Sequence, residues 1–247
     1  MKKLKILIIF LAFHCAYGQT YKAVYSIEVK QKEKSNNGNN EDYYAKQAKI
    51  LGKKMIAEVN ATTFSLLFNS EKALFQPIER MGVEEIKQKL AKVVLIRLQS
   101  HNKVYSDVSC NEVYIYHEAG GNHHLRGYPL EHINWKLTNE QKKFQGYTLI
   151  KATAEMQNNN DENINVEAWF CPDISTKFGP ALFNGLPGLI MQVKAIGGKY
   201  DYSFELKSLK KERKNTEITI PLDKYDVLTE EESNAVYRKM MSNLKPN

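Results

Sequence analysis

Beyond residue 18 no apolar run approaches the roughly 20 residues that a membrane-spanning helix needs, so no later segment is expected to cross a bilayer as a helix. Cysteine is scarce, with three in 247 residues. The Gly-x-Ser-x-Gly nucleophile elbow, the phosphate-binding glycine loop, the dinucleotide fingerprint and the helical His-Glu-x-x-His of zinc peptidases are all missing. That removes the main sequence signatures of hydrolases and nucleotide-dependent enzymes, and no cofactor is expected. Charge of one sign is lacking too: 35 Lys and Arg interleave with 28 Asp and Glu for a formal +7, which is ordinary solubility and not a nucleic-acid footprint. No repeat of solenoid period and no linker divides the chain.

The N-terminus carries a pattern of export. Lys2, Lys3 and Lys5 precede an apolar run from Ile6 to Phe13, and Ala16-Tyr17-Gly18 places small residues where a signal peptidase reads. Cleavage between Gly18 and Gln19 is expected, giving a signal at 1–18 and a single domain at 19–247. Phe13 and His14 directly before Cys15 do not fit lipid attachment at that cysteine. A periplasmic or secreted protein that is not a lipoprotein follows. Loss of the three signal lysines lowers the formal charge from +7 to +4. The remaining length suits one domain with a substantial core. Cys110 and Cys171 remain, and an oxidising compartment could join them; the alternative is two unpaired thiols.

Tyr21, Ala23, Tyr25, Ile27 and Val29 alternate with mostly polar residues, the period of a half-buried strand. Asn36 to Asn40 is a polar break. Asp42 to Met55, with Tyr44, Leu51 and Met55 on one face, reads as a helix. Phe64, Leu66 and Phe68, then Leu74 and Phe75, flank a polar turn at Asn69 to Lys72, a hairpin ended by Pro77. Ile86, Leu90, Val93, Val94 and Leu98 recur at helical spacing between Val83 and Leu98. Strands are expected around 112–117, 133–137, 147–154, 166–170, 189–194, 200–206 and 217–220. Among these, Tyr200, Tyr202, Phe204 and Leu206 set an aromatic face against the polar Asp201, Ser203, Glu205 and Lys207. Gly197-Gly198 supplies the turn that pairs this strand with 189–194. Thr229-Glu230-Glu231-Glu232 is a capping box that starts a C-terminal helix, with Ala235, Val236 and Met240 to pack. The class is α+β and β-rich: a mainly antiparallel curved sheet, half-barrel or sandwich-like, with peripheral helices.

Trp169-Phe170-Cys171-Pro172-Asp173-Ile174 runs into Gly179-Pro180, Phe183-Asn184 and the hexapeptide Gly185-Leu186-Pro187-Gly188-Leu189-Ile190. With Ile133 to Leu137, Gly146-Tyr147 and Lys151-Ala152 upstream, these residues resemble the GLPGLI family of exported Bacteroidetes proteins, over roughly Val113 to Leu209. The resemblance implies a bacterial envelope setting and no established activity. Leu149 stands where the family often has cysteine, and Cys171 where threonine is common, so no disulfide is carried over. Leu186 to Leu189 fits a type II turn feeding a buried strand. The other reading of Trp169, Phe170, Pro172, Gly179, Pro180, Phe183 and the hexapeptide is an apolar ridge or groove wall that docks a partner.

Histidine clusters at His117, His123, His124 and His132. A turn at Gly120-Gly121 would set His117 opposite His124 and Glu118 opposite His123. Two imidazoles on one face could hold a divalent ion, completed by Glu131 or His132; without the helical His-Glu-x-x-His spacing, a solvated hairpin tip is the reading preferred and no metal is expected. Lys207, Lys210, Lys211, Arg213 and Lys214 form a basic turn open to an acidic partner, lipid head groups or water alone. The expected function is a non-enzymatic envelope module binding a peptide, lipid or protein partner. The alternative is a hydrolase or metal-dependent enzyme using His117, His123 and His124 or Cys171.

Overall fold

The computed structural model describes residues 19–32, 43–119, 121–157, 163–214 and 216–243, with 119 and 240–243 described by backbone alone. The expected signal and the break at 36–40 lie outside them. Twelve strands form one sheet. In chain order the elements are β1 (Tyr21–Gln31), α1 (Tyr43–Asn60), β2 (Thr63–Phe68), β3 (Lys72–Pro77), α2 (Glu85–Arg97), β4 (Val104–Asp107), β5 (Glu112–Ala119) and β6 (Asn122–Pro129). Then follow β7 (Lys136–Phe144), β8 (Tyr147–Gln157), β9 (Asn163–Cys171), β10 (Leu189–Ile196), β11 (Tyr200–Lys211), β12 (Val227–Leu228) and α3 (Glu230–Asn243).

The sheet order is β12-β6-β5-β4-β3-β2-β1-β11-β10-β9-β8-β7. Two antiparallel meanders, β1 to β6 and β7 to β11, are therefore joined along β1 and β11. The short β12 beside β6 makes the parallel pair. This order explains the curvature. β6 and β7 lie ten strand spacings apart, about 48 Å in a flat sheet. The link from Pro129 to Lys136 takes seven Cα steps, at most about 25 Å. A flat sheet cannot satisfy so short a link, so the sheet bends until its two ends approach.

The inside of the bend is the core. Alternate residues of β1 (Ala23, Tyr25, Ile27, Val29), β2 (Phe64, Leu66, Phe68) and β11 (Phe204, Leu206) are buried there. Phe64 and Phe75 stack at 5.1 Å, and Phe204 meets both edge-on, the offset geometry that aromatic quadrupoles favour. The Tyr25 hydroxyl donates to the Ile190 carbonyl at 2.7 Å, and burial pushes its ionisation far above the usual phenol range. Helices α1 and α2 reach the same core, α1 through Met55, Ile56 and Val59 and α2 through Ala91, Val94 and Leu95.

Several expectations shift. The side of α2 that meets the core is Ala91, Val94 and Leu95, while Ile86 and Val93 are exposed; α2 packs mainly on α1, and this i, i+3, i+4 stripe is the one buried there. Tyr44 and Leu51 of α1 are likewise exposed. Ile133 is buried in the link, and the strand expected there starts at Lys136. Residues 217–220 form no strand, although Ile218 and Ile220 are buried. The capping box forms as read: the Thr229 amide and the Glu232 carboxylate are 2.8 Å apart, and the Glu232 amide donates to the Thr229 hydroxyl. In α3 it is Ser233 that is buried, while Ala235 is exposed.

Candidate functional site

Between β9 and β10, residues 172–188 fold back into the bend of the sheet. Phe178, Ala181, Phe183 and Leu186 join the main core. Phe178 meets Phe68 of β2 at 6.5 Å, and Phe183 meets Tyr202 of β11 at 6.3 Å. Backbone bonds hold the loop to itself and to β10: Gly185 N–H to the Lys177 carbonyl at 2.8 Å, Leu189 N–H to Ile174 at 3.2 Å, and Ile190 N–H to Phe178 at 3.1 Å. Asn184 is a node. Its side-chain oxygen accepts from the Gly179 amide at 3.1 Å, and its carbonyl accepts from the Trp135 indole at 2.8 Å. Lys177 pairs with Glu131. The loop is thus tied to the link between β6 and β7, the segment that enforces the bend.

Glycine is required here by space. A Cβ on Gly179 would lie 2.2 Å from the Phe183 carbonyl oxygen, and one on Gly188 (φ +156°) would lie 2.2 Å from that of Cys171. The turn around Pro187 differs from the expected type II turn. Gly188 N–H closes onto the Leu186 carbonyl at 2.8 Å, a three-residue turn, because the Leu189 amide is taken by Ile174. The apolar ridge is also corrected. Phe170, Phe183, Leu186, Leu189 and Ile190 are at most 4% exposed, and Gly179, Pro180 and Gly188 are buried with them, while Pro172 and Pro187 face out. Trp169 sits on the outer face of β9, under Lys142 at 4.0 Å, with its indole donating to Glu167 at 3.0 Å.

The histidine hairpin pairs as its sequence implied, His117 with His124 and Glu118 with His123. The environment differs from a solvated tip. The His117 and His124 rings stack at 5.3 Å, His124 is 5% exposed, and its Nε2 lies 2.7 Å from Ser233 Oγ on α3. Burial, then the Arg126 guanidinium, push His117 down to about 3, and the same two causes lower His124. Arg126 is itself 4% exposed, with Glu230 3.9 Å from its Nη1. His123 points to the other face, 2.6 Å from the Tyr116 hydroxyl. His132 donates to the Pro129 carbonyl at 3.0 Å. Among the described residues no group of three His, Cys, Asp or Glu is placed to hold a metal ion. Arg126 and Ser233 were not singled out from the sequence. Arg126 could have been, since it stands two residues from His124 and so shares its face.

Cys110 and Cys171 are both free thiols, so the possible bridge between them is not made. Cys171 is buried, and that burial raises its thiol, the opposite of what a nucleophile needs.

An apolar recess of about 100 Å³ opens beside the loop. Leu98, Met156, Ile164, Leu182, Phe183 and Tyr202 line it, with Arg97 and Lys199 at its polar edge. Its walls come from the end of α2, the β8–β9 hairpin, the loop at 181–183 and the β10–β11 turn, four segments far apart in sequence. A second depression of about 310 Å³ is lined by charged groups of both signs, including Lys136, Glu155, Glu167 and Lys194.

A family profile described as "Protein of unknown function (Porph_ging)" matches residues 155–192, the segment that holds β9, the loop and the start of β10. No curated protein matches the chain. Among solved structures the chain is similar to PNGF-II in its P21 crystal form, with a TM-score of 0.52 at 20% identity over 90% of this chain. The C2 form gives a TM-score of 0.50 at 19% identity over the same share. The chain spans about a third of PNGF-II, 33% and 32% in the two forms. The likeness therefore speaks to the fold: this chain is built like part of PNGF-II, and over its loop segment it is similar to a family of unknown function.

Proposed function

We propose that this protein is an exported envelope component related to the GLPGLI proteins, and that it works as a non-enzymatic binding module. It holds one apolar side chain of a peptide or protein partner in the recess beside the loop, with a partner carboxylate on Arg97 and Lys199. The observation that carries the reading is the recess itself, apolar inside and flanked by two exposed cations. A cavity of about 150 Å³ accommodates benzene, so about 100 Å³ suits one leucine-sized group. The hydrolytic or metal-dependent alternative has less support, because Cys171 is buried with its thiol raised and the His124 Nε2 is already engaged by Ser233 Oγ.

Short peptides ending in leucine, as free acids and as C-terminal amides, test it by NMR titration of the protein purified after export. The free acid is expected to bind about fivefold or more tighter than the amide, a preference lost in Arg97→Gln/Lys199→Gln. Shifts should centre on Met156, Leu182 and Tyr202. Equal affinity for acid and amide, or shifts elsewhere, would overturn the reading; binding of fatty acids alone would reassign the recess to lipid.

A further inference from the structure

Helices α1 and α2 turn one side to the core and present a second apolar stripe to solvent. On α1, Tyr43 and Ile50 stand seven residues apart on the face away from Val59 and are 67% and 42% exposed. Lys46, Lys53 and Lys54 share that face by helical spacing. Tyr44 and Leu51, at 78% and 48%, run along its flank. On α2, Ile86, Lys89, Val93 and Ile96 follow the i, i+3, i+7, i+10 rhythm of a single face, opposite Ala91, Val94 and Leu95; the three apolar members are 44 to 59% exposed. Met81, in the turn before α2, is 97% exposed. Most of the large exposed apolar side chains among the described residues thus belong to this one layer, which is more than scattered surface hydrophobics explain.

Charge is concentrated in the same place. α1 carries Lys46, Lys49, Lys53 and Lys54 against Glu58, and α2 carries Lys87, Lys89, Lys92 and Arg97 against Glu85, a net +3 each. The chain beyond residue 18 carries +4 in all, so everything outside these helices sums to a negative charge. Glu84 and Glu85 pair with Lys87 and Lys89 near the start of α2; no acidic residue follows on that helix.

We infer that the outward faces of α1 and α2 form a docking surface for an anionic lipid bilayer. Lysines interleaved with isoleucine, valine and tyrosine on one helical face match the requirements of an interface: the apolar groups enter the headgroup boundary while the ammonium groups stay with lipid phosphates. A nucleic acid or acidic polymer would use the lysines and leave the isoleucines in water. An acidic protein would need a complementary apolar patch. Arg97 at the end of α2 is the one charge counted here that also edges the recess, and none of the side chains substituted below lines it.

Flotation of the exported protein with vesicles tests it. Partition into phosphatidylcholine vesicles containing about one third phosphatidylglycerol should exceed that into phosphatidylcholine alone by about tenfold or more. Ile86→Ser/Ile96→Ser should cut that partition about tenfold with thermal stability unchanged, since both side chains are exposed. Lys46→Gln/Lys92→Gln should weaken it and leave phosphatidylcholine binding as it was. Equal partition into the two vesicle types, no partition at all, or binding indifferent to the isoleucines would overturn the inference. Binding to polyglutamate that needs the lysines and ignores the isoleucines would assign the surface to an acidic polymer instead.

Discussion

A buried imidazole next to a buried guanidinium has one inexpensive state, the neutral one. His117 and His124 face each other across the β5–β6 ladder, with Arg126 on the same face and Glu230 and Ser233 reaching them from α3. His101, beyond the end of α2, adds to the lowering of His117. Because the folded-state value of His117 is below that of a free histidine, the unfolded chain binds the proton first as pH falls. Stability from this group is complete above about pH 6.5 and drains away as pH drops towards its folded value of about 3. Denaturant unfolding from pH 7.5 to 4.5 should show the wild type losing stability faster than His117→Asn, by at most about 1.4 kcal/mol per pH unit. Parallel curves for the two proteins would show that His117 is not desolvated in the way described.

At the scale of elements, alternation and turn chemistry were legible where one face is dry and the other wet. β1 and β11 read directly, as did the β2–β3 hairpin and the His117–His124 pairing, because period-two patterns flank recognisable turns. The α2 face was misjudged because its exposed stripe is as apolar as its buried one. Nothing in a single helix tells which stripe meets its neighbour, here α1. β4 and β12 are too short to show a period, and the recess is assembled from four distant segments that no local pattern links. α3 read well through its capping box, yet its attachment rests on Ser233, a polar residue no apolar template would select. Thr229→Ala removes the cap and should lower the local stability of α3 by about 1 kcal/mol. Hydrogen exchange is the measurement, with amides of residues 233–239 exchanging faster and those of β1 and β11 unchanged. Slowed or equal exchange in α3 would contradict that role for the cap.

For the whole molecule, the shape follows from connectivity. A twelve-strand sheet whose opposite ends are joined by the short 130–135 link has to bend, and a bent sheet needs something inside it. The loop at 172–188 fills that role, packed against β2, β10 and β11 and tied through Trp135 and Glu131 to the link. Gly179 and Gly188 sit where no Cβ fits, and Phe178, Phe183 and Leu186 face inward. The most direct test is equilibrium unfolding of Gly188→Ala in denaturant. A Cβ there must displace the end of β9, so a loss of about 3 kcal/mol is expected, with the exposed Pro187→Ala costing under about 1 kcal/mol. Wild-type stability in Gly188→Ala would contradict the central claim that the hexapeptide is the internal brace of a bent sheet.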